Sequence, residues 1–317
     1  MLEVCVIRKT IEAPGICSFE LAAIGDENLP AFTAGAHVDV HIAPGLVRQY
    51  SLCNHPEEYH RYQIAVLNEP SSRGGSSKLH AQIEAGATLM LSEPRNLFEL
   101  DLSGEHYVLF AGGIGITPIL AMAYTLSHLG KPFELHYCGR SAERLAFIKT
   151  LAASPFAHQV HVHIDEGAPA QRLDAHKVLR GPSAGRQLYV CGPAGFMDFI
   201  LDTARSSGWN EAQLHREYFS APPLTAAQDT AFEIELARSG QVLAVAAHQS
   251  ALQALEAAGI AVDSSCEQGI CGACITPVLA GEPEHRDQFL TEAEHAANDC
   301  FTPCCSRARS PRLVLDL

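Results

Sequence analysis

Cys266-Glu-Gln-Gly-Ile-Cys271-Gly-Ala-Cys274 is the stretch on which the reading of this chain turns. Its cysteines are spaced C-x4-C-x2-C, and three more follow at Cys300, Cys304 and Cys305. A short loop carrying three thiolates, with a distant fourth, has the ligand spacing of a plant-type [2Fe–2S] cluster, since the loop must wrap round the iron with each sulfur pointing inward. Gly269 and Gly272 allow tight turns there and bring amide N–H groups toward the sulfurs. The competing readings are a zinc site or a disulfide framework. Zinc sites pair a C-x2-C unit with a second pair or with histidines, which this triplet fits poorly. Cys304, in Pro-Cys-Cys-Ser-Arg at the entry to a strand-like segment, is preferred as fourth ligand, with Cys300 and Cys305 also in reach.

A cluster of this kind moves one electron at a time, so the rest of the chain should show where electrons come from. At 317 residues, 47% of them hydrophobic, the chain is long enough for two or three domains, each with its own core. The opening Met1-Leu-Glu-Val-Cys-Val-Ile-Arg alternates like a strand and lacks a signal-peptide apolar region. No run approaches the roughly 18 apolar residues of a membrane span, and a soluble, cytoplasmic protein is expected. Eleven cysteines would be odd as disulfides in a reducing compartment, whereas a cluster uses four of them.

The formal charge of −14 disfavours nucleic acid or an anionic membrane as partner. From Asp229 onward 13 acidic residues face 5 basic ones, with no lysine. An acidic electron-carrying module suits docking on a basic protein face, although a merely solvated surface gives the same count.

Residues 1–102 read as a small antiparallel β-barrel, in short alternating runs such as His37-Val-Asp-Val-His-Ile and Tyr62-Gln-Ile-Ala-Val separated by Gly, Pro and Asn. Arg48-Gln49-Tyr50-Ser51 sets a cation, a flat aromatic and a hydroxyl at one strand end, a set suited to a flavin ring and its phosphate. Ser71-Ser-Arg73-Gly74-Gly75-Ser76-Ser offers a nest of backbone amides for phosphate; alone it could equally be a linker.

Residues 103–222 change to alternating strands and helices, with strand-like runs at 107–111, 133–138, 159–164 and 187–191 and helical segments at 117–129, 141–152 and 193–207. This predicts a doubly wound α/β domain. Its first turn, Gly112-Gly113-Ile-Gly115-Ile-Thr117-Pro118, lets backbone approach a pyrophosphate, and Thr117 is expected to N-cap the following helix. Pro118 replaces the third glycine of G-x-G-x-x-G, and no acidic residue closes the second strand, so this is not the usual dinucleotide fingerprint. Cys191-Gly192-Pro193 ends the last strand at the sheet edge where such folds bind ligands, which makes a nicotinamide site the better reading than a buried core thiol.

Residues 220–230 read as a linker. Residues 229–317 read as a β-grasp ferredoxin domain, with capping boxes at Ser250/Gln253 and Thr291/Glu294 and a helix stop at Gly259.

Taken in this order, the Arg-x-Tyr-Ser, Gly-Gly-Ile-Gly-Ile-Thr-Pro, Cys-Gly-Pro and C-x4-C-x2-C motifs make the whole chain resemble the phthalate dioxygenase reductase family, the reductase components of two-component Rieske non-haem iron oxygenases. The resemblance implies FMN bound by Arg48, Gln49, Tyr50, Ser51, Ile64, Ala65, Val66, Gly74, Gly75, Ser76 and Thr117, with Glu217 and Phe219 at the flavin-facing end of the nicotinamide domain. It implies NADH at Gly112, Gly113, Gly115, Cys191, Gly192 and Pro193, with Ser51, Thr117 and Cys191 beside the hydride path, and a cluster on Cys266, Cys271, Cys274 and Cys304. Relatives often carry a basic residue after the Ile-Ala-Val strand, where this chain has Leu67 and Asn68, and this shifts phosphate charge onto Arg48 and Arg73. Arg140 and Arg144 leave NADPH open, although the resemblance favours NADH. The implied partner is a Rieske-type oxygenase. The alternatives are a reductase feeding another acceptor, such as a cytochrome P450, and a redox-sensing binding protein. A monomer is expected, because the electron path closes within one chain.

Overall fold

Alternation at the N-terminus becomes strand β1 (Leu2–Ala13), with Val4 and Val6 fully buried and Glu3 and Ile7 outward. The computed structural model describes residues 1–25, 27–69, 74–219 and 229–317; Arg73 and residues 220–228 of the expected linker lie outside these. β2 (Ile16–Ala23), β3 (Ala36–Ala43), β4 (Leu46–Ser51), β5 (Tyr62–Leu67) and β6 (Thr88–Leu91) complete an antiparallel sheet ordered β4-β3-β6-β1-β2-β5. A bridge between Leu52 and Ile64 joins its two ends and closes a barrel. Phe19, Val38, Leu52, Ile64 and Val66 fill the interior. Helix α1 (Gly75–Gln82) begins inside the expected phosphate nest, and β7 (Arg95–Asn96) pairs with the start of β3.

Five parallel strands follow: β8 (His106–Gly112), β9 (Phe133–Gly139), β10 (Val160–Ile164), β11 (Arg186–Cys191) and β12 (Leu214–Glu217), ordered β10-β9-β8-β11-β12. The chain order reverses between β8 and β11, the topological switch point at which open α/β sheets bind ligands. The helices are α2 (Ile116–His128), α3 (Ile148–Ala153), α4 (Ala175–Val178) and α5 (Ala194–Ser206).

Three expectations are corrected here. Thr117 does not N-cap α2: a 3₁₀ turn at Gly113–Gly115 starts the helical path early, so Thr117 sits inside the first turn and its hydroxyl donates to Ile114 O at 3.2 Å. The 141–152 helix is broken, because buried Phe147 takes φ 59° and the chain becomes helical only beyond it. β12 was not foreseen as a strand, since Leu-His-Arg-Glu has no apolar period; pairing with β11 alone makes it one.

Barrel and α/β sheet share one apolar core, in which Ala13, Ile16 and Ala65 pack with Tyr107, Leu109 and Cys191, so residues Met1–Glu217 form a single compact unit.

Residues Tyr218–Leu317 form the other. β13 (Phe232–Leu236), β14 (Val242–Val245), β15 (Thr276–Ala280), β17 (Cys300–Phe301) and β19 (Arg312–Leu315) build a sheet ordered β14-β13-β19-β15-β17, in which only β13 and β19 run parallel. β16 (Pro283–Glu284) and β18 (Arg307–Ala308) pair beside it. Helix α6 (Ala251–Ala257) lays Ala251, Ala254 and Leu255 on Ile234 and Leu313, the β-grasp arrangement. Both capping boxes form, at Ser250 with Gln253 and at Thr291 with Glu294 on α7 (Glu292–Ala297). Gly259 ends α6 at φ +78°. No helix among the described residues is long and apolar enough to cross a membrane.

Candidate functional site

Within the second unit, Cys266, Cys271, Cys274 and Cys304 are all buried. The Cys266 thiol meets those of Cys271 and Cys304, and Cys274 also meets Cys304, so four sulfurs from two distant segments converge. Gln268 N–H donates to Cys266 Sγ at 3.3 Å. Cys305 touches Cys304 too, but its thiol is engaged by Thr302 Oγ1 at 3.3 Å and backs onto Gly269. Cys300 lies on β17 beside Asp299, its thiol pushed up to about 11 chiefly by burial. Gly269 (φ +74°) and Gly272 (φ +67°) admit no side chain: an added Cβ would lie 2.3 Å from Cys305 Sγ at the first and 2.5 Å from the Phe289 ring at the second. Four converging thiols, a backbone donor and glycines forced by space fit the cluster that the spacing predicts.

Within the first unit, the glycine turn and Cys191-Gly192-Pro193 meet at the switch point, Ala111 and Cys191 being partners in the β8–β11 register. A Cβ on Gly115 would fall 2.2 Å from Cys191 O, and one on Gly192 would fall 2.9 Å from Gly112 Cα. The two loops therefore touch backbone to backbone, which leaves their edge open to a nucleotide. Farther along the same edge, Cys138, Asp165, Arg172, Leu173, Phe196 and Phe199 line a cavity of about 240 Å³. Arg140 and Arg144 are exposed and outside that lining. Asp165 follows β10 rather than the second strand, so a search for an acid at the end of that strand misses it.

On the barrel, Arg48 runs across the start of α1, where a Cβ on Gly75 would stand 2.8 Å from Arg48 Cγ. The N-cap of α1 is Gly74 at φ +90°, which has no side chain to cap it. A guanidinium beside a helix N-terminus fits a phosphate monoester such as that of FMN. Ser76 is buried, and its hydroxyl accepts from Glu69 N–H at 3.1 Å. Gln49 Nε2 donates to Asp39 Oδ1 at 3.1 Å, and Ile64 and Val66 point into the barrel core, which leaves backbone as their means of touching a flavin. Tyr50 is half-buried on the strand that carries Arg48 and Ser51.

Barrel and nucleotide sheet meet through Glu217. Ser51 Oγ donates to Glu217 Oε2 at 3.4 Å, and Glu217 pairs in register with Cys191. Burial pushes the Glu217 carboxyl up to about 8, and burial holds the Cys191 thiol well above its usual value. Both shifts favour the neutral form. Phe219 belongs to the second unit and is exposed.

The 2Fe-2S iron-sulfur cluster binding domain family matches residues 234–309. A vanillate O-demethylase oxidoreductase of Pseudomonas putida is 56% identical over all of both chains. The crystal structure of phthalate dioxygenase reductase, described as a modular structure for electron transfer from pyridine nucleotides to [2Fe–2S], superposes with a TM-score of 0.79 at 38% identity, covering 100% of this chain and 98% of that one. An intact type IV self-sufficient cytochrome P450 monooxygenase superposes with a TM-score of 0.85 at 39% identity; the match covers 100% of this chain but 41% of the P450. By sequence and by fold, the chain belongs to the phthalate dioxygenase reductase family, oxidoreductases that use NADH, FMN and a [2Fe–2S] cluster to supply electrons to an oxygenase.

Proposed function

We propose that this chain is the reductase of an O-demethylating Rieske-type oxygenase acting on a methoxylated aromatic acid of the vanillate kind, with residues 1–102 as FMN domain, 103–222 as NADH domain and 229–317 as ferredoxin domain. The observation that supports it most is the junction of Ser51, Glu217 and Cys191, where the flavin barrel and the nucleotide edge share one contact. FMN supplies the step from a two-electron hydride donor to single electrons, and the cluster supplies their onward relay. Arg48 and the α1 N-terminus hold the phosphate, Tyr50 offers a flat face to the ring system, and Ser51 offers a hydroxyl to its reacting edge. Gly112, Gly113 and Gly115 take the pyrophosphate, while Cys191 and Gly192-Pro193 shape the nicotinamide slot. The cluster is held by Cys266, Cys271, Cys274 and Cys304. Asp165 in the adenosine-side cavity accepts from a ribose hydroxyl and repels a 2′-phosphate, which favours NADH over NADPH. The protein acts as a cytoplasmic monomer.

An anaerobic visible titration tests the reading. Stoichiometric NADH is expected to bleach both flavin and cluster absorption, with NADPH far less effective; NADH that reduces neither sinks it. The superposition on a P450 fusion supports a second acceptor class, and electron delivery to a vanillate-type oxygenase compared with a P450 separates the two.

A further inference from the structure

Behind the cluster loop, His285, Asp287 and His295 bring one ring or carboxylate atom each to within 4.8 Å of one another. His285 Nε2 lies 3.1 Å from Asn298 Oδ1, an acceptor, which favours a proton on that nitrogen and, in the neutral ring, leaves the lone pair on Nδ1. Nδ1 is buried without a hydrogen-bond partner, on a side chain only 9% exposed. Asp287, whose side chain is fully buried, accepts from Phe289 N–H (3.2 Å) and Leu290 N–H (2.7 Å) through Oδ2. Oδ1 therefore faces His285 Nδ1 at 3.8 Å and His295 Nε2 at 3.3 Å; the latter also lies 3.3 Å from Oδ2. The two imidazoles stack with centroids 4.4 Å apart.

With Nδ1 unprotonated, a nitrogen lone pair faces a buried carboxylate oxygen across 3.8 Å, a costly arrangement that a cation between them, a proton or a metal ion, relieves. Metal–ligand bonds of about 2.0–2.1 Å in a tetrahedron place ligand atoms roughly 3.3 Å apart, close to the 3.3 and 3.8 Å that separate Asp287 Oδ1 from His295 and His285, while the two imidazole nitrogens lie within 4.8 Å of each other. We propose that His285 Nδ1, Asp287 Oδ1 and His295 Nε2 form a binding site for a divalent transition-metal ion of the zinc class, separate from the four-thiol cluster. Two imidazoles and one carboxylate select zinc, copper or nickel over calcium or magnesium, and His295, 30% exposed, leaves a way in. His295 binds with its proton on Nδ1, and Asn298 acts from behind as the acceptor that fixes the His285 tautomer.

The site would clip together the strap that backs the cluster loop. Gln288 N–H donates to Gly269 O at 2.9 Å, and Phe289 covers Gly272. Metal there ties this strap to α7, which carries His295.

The test is calorimetric titration of the cluster-loaded holoprotein with zinc chloride in a non-chelating buffer, with X-ray absorption at the zinc edge of the one-equivalent sample. One equivalent is expected to bind with a first shell of nitrogen and oxygen. His285→Ala and His295→Ala lose that step while retaining cluster absorption, and Asn298→Gly, which keeps the left-handed backbone (φ 54°), weakens it about 10- to 100-fold. His128→Ala, which breaks the exposed group of His55, Glu57 and His128, leaves the step intact. Absence of binding, sulfur in the zinc shell, or a binding step that survives His295→Ala would overturn the proposal. If His285→Ala fails to fold, the half-buried His295 position decides alone.

Discussion

Ser51 Oγ and Glu217 Oε2 lie 3.4 Å apart although 166 positions separate them in sequence. The contact ties the last residue of β4 to the last residue of β12, and burial pushes the Glu217 carboxyl up to about 8. Because the folded state holds the Glu217 proton up to about pH 8 while the unfolded chain releases it near pH 4.5, folding stability falls as pH rises between those values and is level above them. The slope from this group approaches about 1.4 kcal/mol per pH unit. Glu217→Gln is expected to remove it, so that the variant gains on the wild type steadily from pH 5 to pH 8 in chemical denaturation. A constant difference across that range would show that Glu217 is ionised in the fold.

Cys304 and Cys305 are adjacent, but only Cys304 meets the thiols of the 266–274 loop. Cys304→Ser is expected to abolish the long-wavelength cluster absorption. Cys305→Ser, whose hydroxyl can keep the bond to Thr302, retains it. The reverse pattern would reassign the fourth ligand.

Gly115 and Gly113 sit two residues apart and answer differently to a methyl group. At Gly115 the methyl would strike the Cys191 carbonyl, backbone on backbone, at a cost of about 1–3 kcal/mol and with an opened nucleotide edge, so KM for NADH should rise severalfold. At Gly113 there is open space within the protein, and only the φ of +55° opposes alanine in the fold, by about 1–2 kcal/mol, so a rise in KM there reports the methyl meeting the pyrophosphate rather than a displaced Cys191 loop. Thermal melts and steady-state kinetics of the two variants check both halves.

Arg307 is buried and donates to the carbonyls of Gln249, Thr230 and Ala246 while lying over the Phe232 ring. Asp229 faces it at 3.8 Å. Arg307→Ala strands three acceptors and is expected to destabilise the ferredoxin unit by about 3 kcal/mol or more, read as early loss of cluster absorption on heating. A melt unchanged within about 0.5 kcal/mol would mean that water replaces the guanidinium.

The arginine shows where sequence reading stops. Cys-x-Ser-Arg-Ala was legible as a ligand stretch, but nothing in the string says that its arginine holds three carbonyls from segments more than fifty residues away. Asp165 escaped for a similar reason: the cavity it lines gathers residues from β9, from the chain after β10 and from α5, and only sheet order makes them neighbours. Thr117 misled because a threonine before Pro118 carries the local signature of an N-cap, while the 3₁₀ turn before it is set by the packing of Gly115 on Cys191.

The sequence by itself determined what depends on spacing and period. A C-x4-C-x2-C loop must bend round its ligand set, alternating runs must lie half-buried in a barrel, and Ser-x-x-Gln and Thr-x-x-Glu must cap helices, because each involves atoms a few bonds apart. Tertiary structure alone decided that β12 is a strand and that Ser51, Cys191 and Glu217 meet, and it set the preferred Cys304 against the other thiols. Those outcomes depend on register and on apolar burial between distant segments, which local propensity does not encode.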